Sequence, residues 1–200
     1  MNDENAPRSY SLAGGGNLLV YDGWLGPEEA SALFAALRSE IAWRQERVRI
    51  AGREHLQPRL IAWFGDSGAS YTYSGLTLAP DRWPTRLMPL RARLEEQTQT
   101  PFNSVLCNYY RDGNDSMGLH ADDEPELGRN PVIASVSLGA TRRFVLRHVK
   151  DKTARLDLDL AGGSLLVMGG TTQHFWRHGA PRQPRVTEGR INLTFRRILL

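Results

Sequence analysis

Cysteine is almost missing from this chain: Cys107 stands alone in the apolar segment Val105-Leu106-Cys107, which excludes disulfides and cysteine-based metal sites and makes it a core residue. Long hydrophobic runs are missing too. No apolar stretch reaches the roughly 18 residues that a membrane-spanning helix needs, so no membrane partner is expected. The first residues, Met1-Asn2-Asp3-Glu4-Asn5, are too acidic and polar for a signal peptide, and a cytoplasmic location is the expectation. Internal repeats and low-complexity segments are absent, which argues against a solenoid. Without a long linker or a compositional break, the 200 residues read as one domain, 1–200, with the Gly-rich stretch 1–16 as a flexible lead.

What the chain does contain is the composition of a globular protein with a core, 40% apolar and 24% charged residues. The net charge of +3 hides an asymmetry, because residues 141–200 hold 12 basic and 4 acidic side chains, a balance of +8. Such a surface suits a polyanion, whose phosphates release condensed counterions when neutralised; the competing reading is arginines that bind small anions or simply solvate the surface.

The stretch from Pro27 to Trp43 reads as a helix: Pro27 suits a first turn, Glu28 and Glu29 favour the dipole, and Leu33, Phe34, Leu37 and Ile41 share a face that packs on a sheet. A second helical pattern runs to about Glu96 through Leu87, Leu90 and Leu94, with Pro89 tolerable only in its first turn. Short strands follow at Val105–Tyr110, Ile133–Leu138, Arg143–His148, Leu156–Leu160, Ser164–Met168 and Arg190–Ile198. Helices first and many strands afterwards predict an α+β, mainly β protein built as a double-sheet barrel or jelly roll, with the N-terminal helices on one sheet.

His120-Ala121-Asp122 carries the chemistry. In extended backbone, residues i and i+2 project to one side and present an imidazole and a carboxylate to one ion. A second imidazole would complete a facial triad, which leaves about half of an octahedral sphere open, as non-haem Fe(II) needs. Alone the pair is weak, since about a quarter of chains with five histidines would show one by accident. An independent feature is the alternation in Arg190-Ile191-Asn192-Leu193-Thr194-Phe195-Arg196. Arg190, Asn192, Thr194 and Arg196 would line a pocket while Ile191, Leu193 and Phe195 face the core; a solvent-exposed strand face is the alternative. Two guanidinium groups inside a barrel call for an anionic partner such as a dicarboxylate.

In this order, Pro58-Arg59, Tyr71-Thr72-Tyr73-Ser74-Gly75-Leu76, Asn108 to Gly113, His120 to Glu124, Ala134 to Gly139, Gly163-Ser164-Leu165, Trp176-Arg177-His178 and Arg190 to Arg196 are highly specific as a set. Over about residues 47–198 they resemble the AlkB family of Fe(II)- and 2-oxoglutarate-dependent nucleic-acid demethylases, in particular human homologues 2 and 3 and bacterial relatives. The resemblance implies a double-stranded β-helix core over 100–200 and a nucleotide-recognition segment at 47–80. It also implies Fe(II) held by His120, Asp122 and His178, with 2-oxoglutarate and dioxygen as co-substrates. His178 is preferred to His174 because the family's distal ligand precedes the two arginines of its RxNxTxR strand by twelve and eighteen residues, the distances to Arg190 and Arg196. His174 is then a residue near the site, and His55 and His148 are surface or phosphate-facing groups. Asn108, Tyr110, Arg190, Asn192, Thr194 and Arg196 hold 2-oxoglutarate by the same implication, with Arg196 clamping the distal carboxylate.

On the substrate side, the resemblance implies that Tyr71 and Tyr73 stack on a flipped base. Ser74 and Asp123 assist, and Glu124 accepts a hydrogen bond from an exocyclic amino group. The implied reaction couples decarboxylation of 2-oxoglutarate to hydroxylation of an N-methyl group on 1-methyladenine or 3-methylcytosine, followed by loss of formaldehyde. The family's duplex-acting human member has a phenylalanine wedge where Val48-Arg49-Ile50-Ala51-Gly52-Arg53 offers alanine, with Ile50 as the substitute. Alkylated DNA, preferentially single-stranded, is the expected partner of a monomeric enzyme. The same chemistry on RNA or on a non-nucleic-acid substrate, and a non-catalytic nucleic-acid-binding module, are the competing readings. Zinc hydrolysis ranks last for want of a general base.

Overall fold

The computed structural model describes residues 6–50, 53–69, 71–73 and 76–199. Its elements are β1 (Arg8–Ser11), β2 (Gly16–Tyr21), α1 (Pro27–Glu40), β3 (Arg47–Ile50), β4 (Arg53–Leu56), β5 (Leu60–Gly65), β6 (Tyr71–Tyr73), β7 (Leu76–Leu78) and α2 (Leu87–Thr98). There follow β8 (Ser104–Tyr110), β9 (Met117–His120), β10 (Ile133–Gly139), β11 (Arg142–His148), β12 (Arg155–Leu160), β13 (Leu165–Gly170), α3 (Thr172–Phe175), β14 (Trp176–Ala180) and β15 (Arg190–Arg196).

The long strands form two facing antiparallel sheets, a major one in the order β1-β2-β13-β10-β15-β8-β5 and a minor one in the order β12-β11-β14-β9. This is the double-stranded β-helix, or jelly roll. The pairs β3-β4 and β6-β7 stand apart as two-stranded ribbons.

Alternation explains why the major sheet is covered on both faces. Val105 and Cys107 of β8, Val136 and Leu138 of β10, and Ile191, Leu193 and Phe195 of β15 share one core cluster with Leu37 of α1 and Leu87, Leu90 and Leu94 of α2. The opposite faces point between the sheets, where Leu18, Ile133, Phe144, Leu146, Leu158, Met168 and Trp176 form a second cluster. Toward the β8-β15-β10 part of that interior polar side chains replace apolar ones: Asn108, Ser135, Ser137, Arg190, Asn192 and Thr194 are all buried. Pro89 is the third residue of α2, where its missing N–H costs no intrahelical bond.

Two boundaries differ from expectation. Residues 8–11 are not a loose lead: β1 pairs in register with β2, Tyr10 and Leu12 pack on the second cluster, and Arg8 bonds Asp22 at 2.6 Å. The first helix ends at Glu40 rather than Trp43, because Ile41 turns to extended backbone, buries its side chain, and lets Trp43 reach Tyr109 at 5.3 Å between ring centres. The 100–200 core is also supplemented from outside by β1, β2 and β5.

Candidate metal centre and co-substrate cavity

The minor sheet brings the two imidazoles together. His120, the last residue of β9, pairs directly with His178 of β14, and their rings lie 4.3 Å apart. Asp122 follows just beyond the end of β9 and is 2% exposed. His120 Nε2 lies 3.8 Å from Asp122 Oδ1, and His178 Nε2 lies 3.8 Å from Asp122 Oδ2. One ligand atom from each residue fits within 4.8 Å of the other two.

The donor set fits a divalent cation. His120 Nδ1 is 3.0 Å from the Gly118 carbonyl, which places its proton there and turns the Nε2 lone pair toward Asp122. Asp122 Oδ2 is buried without a hydrogen-bond partner, a costly state for a carboxylate unless a cation supplies what water no longer does. Burial works to raise the Asp122 pKa, but the Arg196 charge first, and then the two neighbouring imidazoles, hold it below the ordinary carboxylate range. Burial pushes His178 down to about 3, so its imidazole is neutral and able to ligate at any physiological pH. Phe144 stacks on that ring at 5.4 Å and fixes its plane.

From these donors an open cavity of about 450 Å³, counting solvent at its mouth, runs past Leu106, Asn108, Ser135, Asn192 and Thr194 to Tyr110 and Arg190. Six of the predicted co-substrate residues line it. The two arginines stand at its two ends. Arg196 Nη2 bonds Asp122 Oδ1 at 2.6 Å and so belongs to the metal end. Arg190 lies six residues away, about 20 Å along the strand, at the Tyr110 end. Arg190 is therefore the arginine at the cavity end away from the metal donors.

Arg190, like Arg196, keeps a buried Nε without a partner. It donates to Ser137 Oγ at 2.8 Å. Burial lowers its pKa to about 10, still charged at neutral pH. Arg142, which also lies against the Tyr110 ring, is saturated by the carbonyls of Asp112, Asp115 and Pro181 at 2.8–3.0 Å. Asn108 Oδ1 accepts from Arg59 Nε at 2.7 Å, which leaves the Asn108 amide hydrogens facing the cavity. Asn192 and Thr194 are partly engaged with the wall and each other: Asn192 Nδ2 bonds Ser135 Oγ at 2.7 Å, and Thr194 Oγ1 donates to Asn192 Oδ1 at 3.1 Å.

On the substrate side, Glu124 is half-buried and lines a smaller cavity with Trp63, Leu127, Arg196 and Ile198. Its Oε2 has no partner, and burial raises its pKa against the pull of Arg196. Asp123 is exposed. Tyr71 and Tyr73 lie on β6, opposite Leu78 and Leu76; Ser74, and Ala51 and Gly52 beside Ile50, lie outside the described residues. His174 turns away to the Arg129 carbonyl and Asn130, His55 is on exposed β4, and the His148 Nδ1 accepts the Asp151 N–H at 2.9 Å.

A model of the 2OG-Fe(II) oxygenase superfamily matches residues 17–196. Alpha-ketoglutarate-dependent dioxygenase alkB homolog 3 of Rattus norvegicus is 42% identical over 95% of this chain and 67% of its own length. The chain belongs to the AlkB family of 2OG-Fe(II) oxygenases. This AlkB-family chain is also 44% identical to human DNA oxidative demethylase ALKBH2, over 88% of the chain and 71% of that protein. The solved structure of OsALKBH1 superposes with a TM-score of 0.62 at 18% identity, covering 90% of this chain and 96% of that one, a likeness of fold alone. The AlkB-family oxygenase is thus an Fe(II)- and 2-oxoglutarate-dependent dioxygenase.

Several residues of its site were not singled out in the sequence. Ser135 and Ser137 carry the signal of alternation on β10, and Arg142 that of two adjacent arginines entering a strand. Gln173, whose Oε1 accepts the Asp122 N–H at 3.0 Å, sits in the polar run Thr171-Thr172-Gln173-His174 and gives no signal.

Proposed function

We propose that this oxygenase removes N-alkyl groups from bases in DNA, with 1-methyladenine and 3-methylcytosine as the lesion class, and acts best on single strands. The observation that carries the reading is the likeness to DNA oxidative demethylase ALKBH2 across most of the chain, joined to a cavity that runs from a His-Asp-His cluster to Arg190. His120, Asp122 and His178 are the residues that would hold Fe(II). When bound, iron and 2-oxoglutarate supply the oxidation of an N-methyl carbon by dioxygen, with succinate, carbon dioxide and formaldehyde as products.

The chain's own groups orient and exclude. Arg190 and the Asn108 amide take the distal carboxylate, and Tyr110 closes that end. Arg196 fixes the rotation of the Asp122 carboxylate, leaving Oδ2 toward the cluster. Tyr71, Tyr73 and Ser74 are assigned to the extruded base, and Glu124 with Asp123 to its edge. A carboxylate there favours a cationic methylated base over the neutral one. A single strand is the cheaper substrate, because no partner base has to be unpaired and the segment around Ile50 brings no aromatic wedge. A monomer in the cytoplasm is part of the same proposal.

The test is product analysis on single- and double-stranded DNA and on RNA carrying each lesion, with Fe(II) and 2-oxoglutarate supplied. Formaldehyde and succinate are expected in equal amounts, fastest from single-stranded DNA. Asp122→Ala should abolish both products and leave oligonucleotide affinity nearly unchanged. Turnover of 2-oxoglutarate with no demethylation of any oligonucleotide would reject the substrate class.

A further inference from the structure

Asp122 has a backbone problem that its side chain does not solve. The β14-β9 ladder pairs His178 with His120 and stops there, so the segment from Ala121 to Glu124 lies outside any strand. In a continued ladder the Asp122 N–H would bond a carbonyl of the neighbouring strand. Here the ladder ends at that pair although β14 runs back to Trp176, and the Asp122 N–H bonds a side chain instead. The N–H of a residue 2% exposed therefore needs another acceptor, and Gln173 Oε1 supplies it at 3.0 Å.

Gln173 is itself 3% exposed and is held on both sides. Its Nε2 points to Met168 Sδ at 3.7 Å, a weak contact that keeps the amide oxygen turned toward Asp122. The four residues of α3 are anchored by Thr172, whose Oγ1 donates to the Gly169 carbonyl at 2.6 Å and accepts the Asn17 N–H at 3.2 Å. Thr171 Oγ1 bonds the Gly14 carbonyl at 2.5 Å, and Trp176 Nε1 bonds that of Ala13 at 2.9 Å. The turn between β1 and β2 thus clasps α3, and α3 fixes one amide against the carboxylate-bearing residue.

We infer that Gln173 is a positioning residue of the metal centre, setting the Asp122 carboxylate through its backbone rather than touching metal, co-substrate or substrate. The inference rests on the reading of His120, Asp122 and His178 as the metal ligands. Gln173→Leu keeps the volume but leaves a buried N–H without an acceptor. Gln173→Asn keeps the amide and shortens the reach by one methylene. Gln173→Glu keeps a carboxylate oxygen at the same reach.

The experiment titrates Co(II) alone into the metal-free full chain and follows its visible absorption, with thermal midpoints recorded for every variant. Ser164→Ala, which removes a hydrogen bond to the Ala161 carbonyl outside the cavity wall, serves as the control for general destabilisation. The expected result is a Co(II) dissociation constant about 10- to 100-fold weaker for Gln173→Leu and Gln173→Asn, the range for losing a group that orients a ligand, with Gln173→Glu within a few-fold of wild type. Wild-type affinity in Gln173→Leu, no rescue by Gln173→Glu, or an equal loss in Ser164→Ala would each overturn the inference. Failure of the wild-type chain itself to bind Co(II) would instead sink the metal-site reading on which it rests.

Discussion

Arg190 and Arg196 share a strand face, yet their neighbours give them different work, and single substitutions should separate them. Arg190→Ala removes the buried cation at the Tyr110 end. Loss of one partner from a buried charge pair costs about 2–5 kcal/mol, so the KM for 2-oxoglutarate should rise at least ~30-fold with metal affinity little changed. Arg196→Ala leaves Asp122 Oδ1 without its 2.6 Å partner and should weaken metal binding first. Isothermal titration of Mn(II) and, separately, of 2-oxoglutarate distinguishes the two, and identical profiles would contradict the assignment. His178 adds a pH dependence. Its pKa falls from 6.5 to about 3 on folding, so between those values the folded chain binds fewer protons than the unfolded one. Stability from this group is complete above about pH 6.5 and drains away as pH drops toward 3, with a slope of up to ~1.4 kcal/mol per pH unit. Urea midpoints of the metal-free protein should fall with acid over that window, and His178→Asn should flatten the slope; parallel profiles would contradict it.

At the scale of elements, β15 is the strand on which both functions meet. Ile191, Leu193 and Phe195 are fully buried in the helix-facing cluster while the alternate residues line the cavity. Leu193→Ala should cost about 2–5 kcal/mol by denaturant unfolding, the range for a buried leucine that leaves a cavity. The loss should leave the KM for 2-oxoglutarate close to wild type under conditions where the variant is folded, because Leu193 faces away from the cavity. The hairpins β3-β4 and β6-β7 make the opposite case. Each is a two-stranded ribbon outside the main sheets, and such ribbons are marginal alone, which suits segments assigned to gripping a substrate.

For the whole molecule, the ligands the cavity fits are also stabilisers. Saturation at ~100 times the dissociation constant adds about 2.7 kcal/mol for each independent ligand. For a chain of this length that is a rise of roughly 5–10 °C in thermal midpoint with Mn(II) and a further rise of the same order with 2-oxoglutarate under nitrogen, reversed by a chelator. A midpoint indifferent to both, measured by calorimetry, would count against the cavity as their site.

Read alone, the sequence determined the periodicities. The alternation in Arg190–Arg196 separated a polar face from a core face, the leucine spacing placed both helices, and the ordered motifs placed the chain in its family with His120, Asp122 and His178 as a set. These are local or pattern-borne properties, readable because side-chain direction has period two in a strand and 3.6 in a helix. Tertiary structure decided the rest. Which arginine lies beside Asp122 depends on the facing of two sheets, and the burial of Arg142 on three carbonyls from two loops. The docking of β2, and of β1 through it, on β13, and the amide of Gln173 against the Asp122 N–H, join positions far apart in the chain. No local pattern encodes such contacts, because their energy comes from groups that become neighbours only when the barrel closes.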